Sequence, residues 1–208
     1  MSWLDQLKHL GDRLMSAIAA SLGLPHNYFA KNICKEPLCL FRIFNYPLQK
    51  DITNDLWGVG EHTDYGLLTI LLITDEGLEV KNRSNQWVKA DPIDGTFIIN
   101  IGDMLERLTR GLYRSTPHRA RNQQVENRMS FPFFYDPGWS EKIHELEITT
   151  TADEQSLLEQ AHLYQRWDNQ SLSQVTGTYG DYLTRKVAKV FPNLGKDNLN
   201  LEVAPGAY

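Results

Sequence analysis

The segment Glu61-His62-Thr63-Asp64 places two side chains that commonly bind metal ions two residues apart, directly before an apolar run that starts at Leu67. In an extended chain, residues i and i+2 point to the same side, so His62 and Asp64 are expected to share one face while Thr63 points away. An imidazole and a carboxylate on one face are two of the three ligands of a facial metal triad. An H-x-D triplet alone is more often part of a surface turn, so a third ligand must decide between the two interpretations.

A candidate third ligand is His118, which follows Pro117 and lies 54 residues after Asp64. Two histidines and one carboxylate on one face of an octahedral metal leave three adjacent positions open. This arrangement suits a non-haem Fe(II) that binds a co-substrate and O₂ together. Zinc sites more often have a closed ligand set or a single open position. The three residues therefore favour an iron site.

A second polar pair lies ten residues beyond His118, in the segment Arg128-Met129-Ser130. On a strand, Arg128 and Ser130 share one face, where a guanidinium and a hydroxyl can together bind a carboxylate. Alone, an Arg-x-Ser triplet is a weak signal, because a surface arginine on a strand gives the same pattern. The sequence leaves both interpretations of this pair open.

Hydrophobic periodicity indicates the first element that must support these residues. From Trp3 to Leu22, apolar residues recur every three or four positions, which predicts an amphipathic helix that Gly23 and Pro25 end. The apolar stripe of this helix consists of Leu4, Leu7, Leu10, Leu14, Ile18 and Leu22. We expect the stripe to pack against the protein's own β-core.

A block of short apolar runs follows, each bounded by Gly, Pro, Asp or Asn, which predicts closely spaced strands rather than alternating βαβ units. The predicted strands are 38–46, 67–73, 78–80, 87–90, 97–101, 118–120 and 129–135, and the predicted later helices are 104–109, 152–167 and 179–191. We therefore expect one domain over residues 1–208. It would have a helix at 3–22, a mainly β core at about 38–150 and a helical tail at about 151–192.

Composition limits the classes of function. The sequence has 208 residues, of which 41% are hydrophobic and 23% charged, as is typical of a soluble globular protein. Its net charge of −5 argues against a nucleic-acid partner, and the lack of a signal peptide or of 18 consecutive apolar residues argues against a membrane partner. The spacing of Cys34 and Cys39 indicates reduced thiols in a cytoplasmic protein, and a small-molecule substrate is expected.

Five segments, taken in order, resemble the isopenicillin N synthase-like branch of the Fe(II)/2-oxoglutarate-dependent dioxygenases. They are LCLFRIFNYP at 38–47, HTDYGLLTIL at 62–71, INIGDMLE at 99–106, YRSTPHR at 113–119 and RMSFPFF at 128–134. The tail segments TYGDYL at 178–183 and KVFP at 189–192 are also similar to bacterial members. The resemblance implies a mainly β fold with flanking helices, the double-stranded β-helix or jelly roll.

The resemblance also implies a role for each candidate residue. The implied iron ligands are His62, Asp64 and His118. Arg128 and Ser130 would bind the distal carboxylate of 2-oxoglutarate, and the Tyr46 hydroxyl would assist them. The implied activity is oxidation of a small molecule, by hydroxylation, desaturation or ring closure, with consumption of 2-oxoglutarate and O₂ and release of succinate and CO₂.

Two alternative functions stay open. An oxidase of the isopenicillin N synthase type would use the Arg-x-Ser pair for its substrate and need no 2-oxoglutarate, and a non-catalytic jelly roll would only bind a metal or ligand. Members of the family also have an N-terminal region that covers part of the barrel and lines the substrate mouth, whereas this sequence starts at the first predicted helix. We therefore expect exposed apolar surface, self-association and a barrel mouth open to water.

Overall fold

A computed structural model of the protein describes residues 1–47, 57–122, 127–148, 155–156, 158, 166–168, 172 and 175–190. The helices among them are α1 (Trp3–Ser21), α2 (Tyr28–Asn32), α3 (Asp103–Leu108) and α4 (Tyr179–Val190). The strands are β1 (Pro37–Phe41), β2 (Phe44–Tyr46), β3 (Val59–His62), β4 (Leu68–Ile73), β5 (Leu78–Lys81), β6 (Trp87–Lys89), β7 (Ile98–Ile101), β8 (His118–Ala120) and β9 (Arg128–Gly138). None of these helices is long and apolar enough to cross a membrane.

The strands form two antiparallel sheets. The larger has five strands in the order β1-β9-β4-β7, with β2 also paired to β9, and the smaller has the order β3-β8-β5-β6. Most of these pairs join strands that are distant in the sequence, such as β1 with β9 and β3 with β8. The predicted mainly β core with flanking helices is confirmed.

Strand β4 is buried on both faces, as its continuous apolar run predicts. Leu68 and Ile70 belong to the main apolar core, to which α1 also contributes. Leu71 and Ile73 point the other way and form a second core with Leu78 of β5. Because β4 and β5 belong to different sheets, this second core holds the two sheets together.

Successive side chains of β9 point to opposite faces of the larger sheet, one towards the main core and the other towards the space between the two sheets. Phe133 and Tyr135 face α1, where the Tyr135 hydroxyl donates to Asp12 Oδ1 at 2.6 Å. Arg128 and Ser130 lie on the opposite face of the same strand. The predicted pair is therefore on the inner side of the larger sheet.

Helix α1 packs on the larger sheet as expected, and most of the predicted stripe faces the core. The buried residues of α1 are Leu7, Gly11, Met15 and Ala19. Of the predicted stripe, Leu7 and Leu22 are buried, Leu10, Leu14 and Ile18 are partly buried against the main core, and Leu4 is 47% exposed. Gly11 in the buried stripe lets the sheet approach closely, since a Cβ there would lie 2.5 Å from the Tyr135 ring. Hydrophobicity alone does not reveal such a contact.

The strand predicted at 38–46 is divided into β1 and β2. Both strands pair with β9, and the Arg42 backbone N–H donates to the Pro132 carbonyl between them at 3.0 Å. Proline has no N–H to donate in return, so the ladder is interrupted at this point. The other predicted strands correspond to β4 to β9, whereas β3 was not predicted as a strand. The helix predicted at 179–191 corresponds to α4, and most of the helix predicted at 152–167 lies outside the described residues.

Candidate active site

Three ligand-type side chains converge at one edge of the smaller sheet. His62 ends β3 and His118 begins β8, and these two residues are direct partners in the strand pair. Asp64 follows two residues after His62, and one ligand atom of each of the three residues lies within 4.8 Å of the others. The fold thus brings together the residues that the sequence analysis selected as metal ligands.

The histidines present the same atom to the shared space. Nε2 of His62 lies 4.0 Å and Nε2 of His118 lies 3.8 Å from Oδ1 of Asp64. Their Nδ1 atoms face backbone carbonyls, at 2.9 Å from Gly60 O and 3.0 Å from Thr116 O. A proton on each Nδ1 satisfies these carbonyls and leaves the Nε2 lone pairs free for a cation, as in many metal sites.

Asp64 is oriented by two side chains of the larger sheet. Its Oδ2 accepts hydrogen bonds from Thr69 Oγ1 at 2.7 Å and from Asn100 Nδ2 at 3.5 Å. Thr69 on β4 and Asn100 on β7 are direct cross-strand partners, so the sheet register fixes both donors. With Oδ2 held in this way, Oδ1 is the oxygen that faces the histidines.

The local environment also favours the protonation state that a metal requires. Burial, followed by the neighbouring His118, lowers the pKa of His62 from its ordinary value. The lower pKa favours the neutral imidazole, which is the form that binds a cation.

The predicted carboxylate-binding arginine is enclosed. Arg128 is 1% exposed, and its Nε donates to the Glu76 carbonyl at 2.8 Å. Its guanidinium carbon lies 4.8 Å from the centroid of the Tyr46 ring. Among the described residues, buried Nη1 of Arg128 has no hydrogen-bond partner. A buried guanidinium donor without a partner is costly, and a ligand carboxylate supplies the acceptor that it lacks.

Tyr46 and Ser130 lie beside Arg128, and these three residues form the second group of the site. Tyr46 is the direct cross-strand partner of Arg128, and the Ser130 hydroxyl donates to the Tyr46 hydroxyl at 3.4 Å. Gly77, which follows the Glu76 carbonyl, has a φ of 116°, and a Cβ there would lie 2.1 Å from the Arg121 carbonyl and 3.2 Å from Arg128 Nε. Only glycine suits this turn, which fixes the carbonyl that holds the arginine.

The cluster of His62, Asp64 and His118 and the second group around Arg128 both line the interior on one face of β4. Thr69, which binds Asp64, and Ile73, which pairs with Ser130, are an even number of residues apart and point to the same side. A ligand between the sheets would therefore meet the ligand cluster and Arg128 on the same inner surface. The donor sets fit a divalent metal at one group and a dicarboxylate oxo-acid that reaches the other.

The family model for the 2OG-Fe(II) oxygenase superfamily matches residues 37–137. This region belongs to the 2OG-Fe(II) oxygenase superfamily. A probable iron/ascorbate oxidoreductase of Dictyostelium discoideum is 43% identical to the chain, and the alignment covers 96% of this chain and 57% of that protein. The 1-aminocyclopropane-1-carboxylate oxidase of Dictyostelium mucoroides is 36% identical, with 92% and 59% covered. The chain thus spans less than two thirds of the length of these relatives.

Solved structures of proteins similar to this oxygenase domain share its fold. A full-length Neurospora crassa protein in complex with alpha-KG and thymine has a TM-score of 0.73 and 28% sequence identity. The alignment covers 91% of this chain and 55% of that chain. The predicted double-stranded β-helix is confirmed for the described residues.

Sequence reasoning missed the residues that support the ligands of this oxygenase domain. Thr69 and Asn100 lie within recognised segments, but their contact with Asp64 depends on the register of β4 and β7. Three histidines outside this site, His9, His26 and His144, are exposed. The fourth, His162, lies outside the described residues.

Proposed function

We propose that the protein is an Fe(II)- and 2-oxoglutarate-dependent oxygenase of the isopenicillin N synthase-like branch. It oxidises a small molecule with consumption of O₂ and release of succinate and CO₂. One observation carries this function: the same interior holds a His-Asp-His cluster and a buried arginine whose Nη1 has no partner in the part of the chain that the structure describes. The order of the motifs along the chain supports the branch.

In this proposal, Fe(II) is held by His62, Asp64 and His118, and supplies O₂-dependent oxidation when bound. The chain's own groups set the geometry of the ligands before the metal binds. The carbonyls of Gly60 and Thr116 fix the two imidazole rings. One carboxylate leaves part of the charge of a divalent cation uncompensated, which favours an anionic co-substrate at the open positions.

Arg128, Ser130 and Tyr46 bind the distal carboxylate of 2-oxoglutarate. Binding there satisfies the buried Nη1 of Arg128 and forms a charge-assisted hydrogen bond away from bulk water. The Ser130 and Tyr46 hydroxyls, which already contact each other, can turn to the same carboxylate. These residues orient the co-substrate so that its oxo-acid end faces the three ligands.

The substrate is a small organic molecule. The solved complex from Neurospora crassa contains thymine, and the relative from D. mucoroides is named for 1-aminocyclopropane-1-carboxylate. Binding sites for ligands of this size usually combine an apolar lining with a few well-placed polar groups, and the interior here supplies Arg128 and Ser130 as such polar groups.

The proposal extends to the organisation of the chain. Residues 1–208 form one domain, with a helix at 3–22, a core at about 38–150 and a helical tail at about 151–192. Free thiols at Cys34 and Cys39 support a cytoplasmic location. Exposed apolar side chains, such as Leu40 at 45% and Ile43 at 60%, support a homo-oligomer.

Oxygen uptake tests the proposed function. Purified protein with Fe(II) and 2-oxoglutarate should consume O₂, and omission of either component should stop it. Uptake without 2-oxoglutarate in the presence of a substrate would indicate an oxidase of the isopenicillin N synthase type. Metal binding without uptake, across a screen of small molecules, would indicate a non-catalytic jelly roll.

A further inference from the structure

A buried arginine outside both groups of the proposed site contacts the two segments that carry the metal ligands. Arg166 is 8% exposed. Its Nη2 lies 3.3 Å from Oγ1 of Thr63, the residue between the first two ligands. Its Nη1 donates to Ser115 Oγ at 3.0 Å, three residues before His118. One rigid guanidinium thus bridges the segment after β3 and the segment before β8.

Three carboxylates hold this guanidinium in place. Arg166 Nη2 lies 3.0 Å from Asp103 Oδ1, Nη1 lies 3.1 Å from Glu106 Oε1, and Nε lies 3.1 Å from Asp168 Oδ1. Burial opposes the charge of Arg166, but the carboxylates of Asp103 and Glu106 outweigh burial and raise its pKa. The arginine therefore stays charged and fixed in orientation.

The same carboxylate residues also reach the ligand segments directly. The Asp103 backbone N–H donates to the Asp64 carbonyl at 2.8 Å. Glu106 Oε2 accepts from the Ser115 backbone N–H at 2.7 Å and from its hydroxyl at 2.6 Å. Asp103 Oδ2 accepts from the Tyr182 hydroxyl of α4 at 3.0 Å. Helix α3 is thus the common support behind the ligands, and Arg166 completes it.

The contacts exclude a direct role for Arg166 in holding substrate or co-substrate. Each of its three nitrogens already donates to a side chain of the protein. Arg128, by contrast, keeps a buried nitrogen without a partner among the described residues. Arg128 therefore has a donor available for a ligand, whereas every nitrogen of Arg166 is bound within the protein.

We propose that Arg166 is a positioning residue for the metal ligands. By tying Thr63 and Ser115 to one planar group, it fixes the distance between the two ligand segments before a metal binds. A lysine cannot replace it, because one ammonium cannot reach all these acceptors in one plane. The inference rests on the proposed function, since it assumes that a metal binds at His62, Asp64 and His118.

The test compares Arg166→Lys with wild type by anaerobic titration with Co(II), whose visible absorption reports the geometry of its ligands. We expect Arg166→Lys to weaken Co(II) binding roughly ten- to hundredfold and to alter the absorption of the bound ion. Arg107→Lys is the matched control. Arg107 lies on α3, as Asp103 and Glu106 do, but its Nη1 pairs with Glu145 Oε1 at 2.6 Å and not with a ligand segment. This control should keep the wild-type affinity and spectrum.

Thr63→Val provides a second variant that leaves every ion pair of Arg166 intact, and it decides the matter if Arg166→Lys does not fold. Alone, it should also weaken Co(II) binding and alter the absorption of the bound ion. Where Arg166→Lys folds, the effect of Thr63→Val should be smaller in that background than in wild type, because both changes remove one shared contact. A merely structural role would lower the melting temperature of the metal-free protein without this coupling and without a changed spectrum.

The result that overturns the inference is wild-type Co(II) affinity and absorption in the folded Arg166→Lys and Thr63→Val variants. Failure of the proposed function would give a different result in Co(II) binding. In that case wild type would bind no Co(II), or His118→Ala would bind it as tightly as wild type, and the metal site would fall together with the inference.

Discussion

The imidazole rings of His62 and His118 lie 4.2 Å apart between centroids, on directly paired residues of β3 and β8. Each ring directs its Nδ1 to the carbonyl two residues earlier in its own chain segment, at Gly60 and Thr116. The repeated contact turns both Nε2 atoms towards Asp64. Two backbone segments in register therefore orient the two histidines.

Removal of one ligand should abolish metal binding. His118→Ala leaves one imidazole and one carboxylate, which is too few donors to hold Fe(II) at a facial site. Anaerobic titration with Fe(II) should detect no stoichiometric binding. His144→Ala is the matched control, because exposed His144 makes the same type of Nδ1 contact, to the Lys142 carbonyl at 3.1 Å. Tight Fe(II) binding by His118→Ala would rule out the assigned ligands.

Loss of the hydrogen bond that orients Asp64 should weaken the site without destroying it. Thr69→Val keeps the shape of the side chain but removes the donor 2.7 Å from Oδ2. We expect metal affinity to fall roughly tenfold to a hundredfold, as for other groups that support metal ligands. Thr96→Val serves as the control, since Thr96 only donates to Ile93 in an exposed turn. Equal affinities in the two variants would show that Asp64 needs no such support.

Arg128→Lys should weaken 2-oxoglutarate binding, because an ammonium lacks the paired donors of a guanidinium. Loss of a charge-assisted hydrogen bond costs about 1.5–3 kcal/mol, or roughly ten- to a hundredfold in Kd. Ser130→Ala should have a smaller effect. The measurement is the weak visible absorption that develops when 2-oxoglutarate is added to the Fe(II)-loaded protein without O₂. Exposed Arg185→Lys is the control, and an unchanged midpoint for Arg128→Lys would remove it from the co-substrate site.

Asp136 should make the metal-free protein less stable as pH rises. Its Oδ2 accepts from the Tyr179 hydroxyl at 2.6 Å, and burial raises its pKa from 3.8 to about 7. A carboxyl whose pKa is raised in the folded state adds its full share to the free energy of unfolding at pH below 3.8. This share is lost as pH rises through about 7. Asp136→Asn should therefore gain stability relative to wild type between pH 5 and pH 8, on the order of a few kcal/mol.

Thermal unfolding with a chelator present measures this difference. Asp181→Asn is the control, because hydrogen bonds from Thr178 lower the pKa of exposed Asp181. The contribution of Asp181 to stability is lost only when pH falls below the usual pKa range of an aspartate. The stability difference between Asp181→Asn and wild type should therefore stay constant between pH 5 and pH 8. A constant difference for Asp136→Asn as well would mean that Asp136 is ionised across this range.

The sequence predicted the candidate site better than it predicted the packing. His62 and Asp64 are local neighbours, and the Pro-His start of β8 marks the third candidate, so the pattern of residue types was sufficient to select three residues that the fold brings together. The predicted stripe of α1 left out Gly11, which is buried against Tyr135 through a contact that depends on shape rather than hydrophobicity. The division of β1 from β2 depends on which residue faces Pro132, and only the strand register shows this.

The supporting residues could not be found from spacing. Arg166 lies 103 residues from Thr63, in a segment with no distinctive motif. Asp103 begins α3 directly after Gly102, and its carboxylate is buried against Arg166. Such contacts join separate elements, so they follow from the completed fold rather than from any local pattern.

The central claim is that this chain oxidises with Fe(II), 2-oxoglutarate and O₂ at His62, Asp64 and His118. The most direct measurement is release of labelled CO₂ from 2-oxoglutarate labelled at its first carbon, with succinate quantified in the same reaction. We expect equal amounts of CO₂ and succinate, dependent on Fe(II) and O₂ and absent in His118→Ala. Undiminished CO₂ release by His118→Ala, or none from wild type loaded with Fe(II) and supplied with candidate substrates, would contradict it.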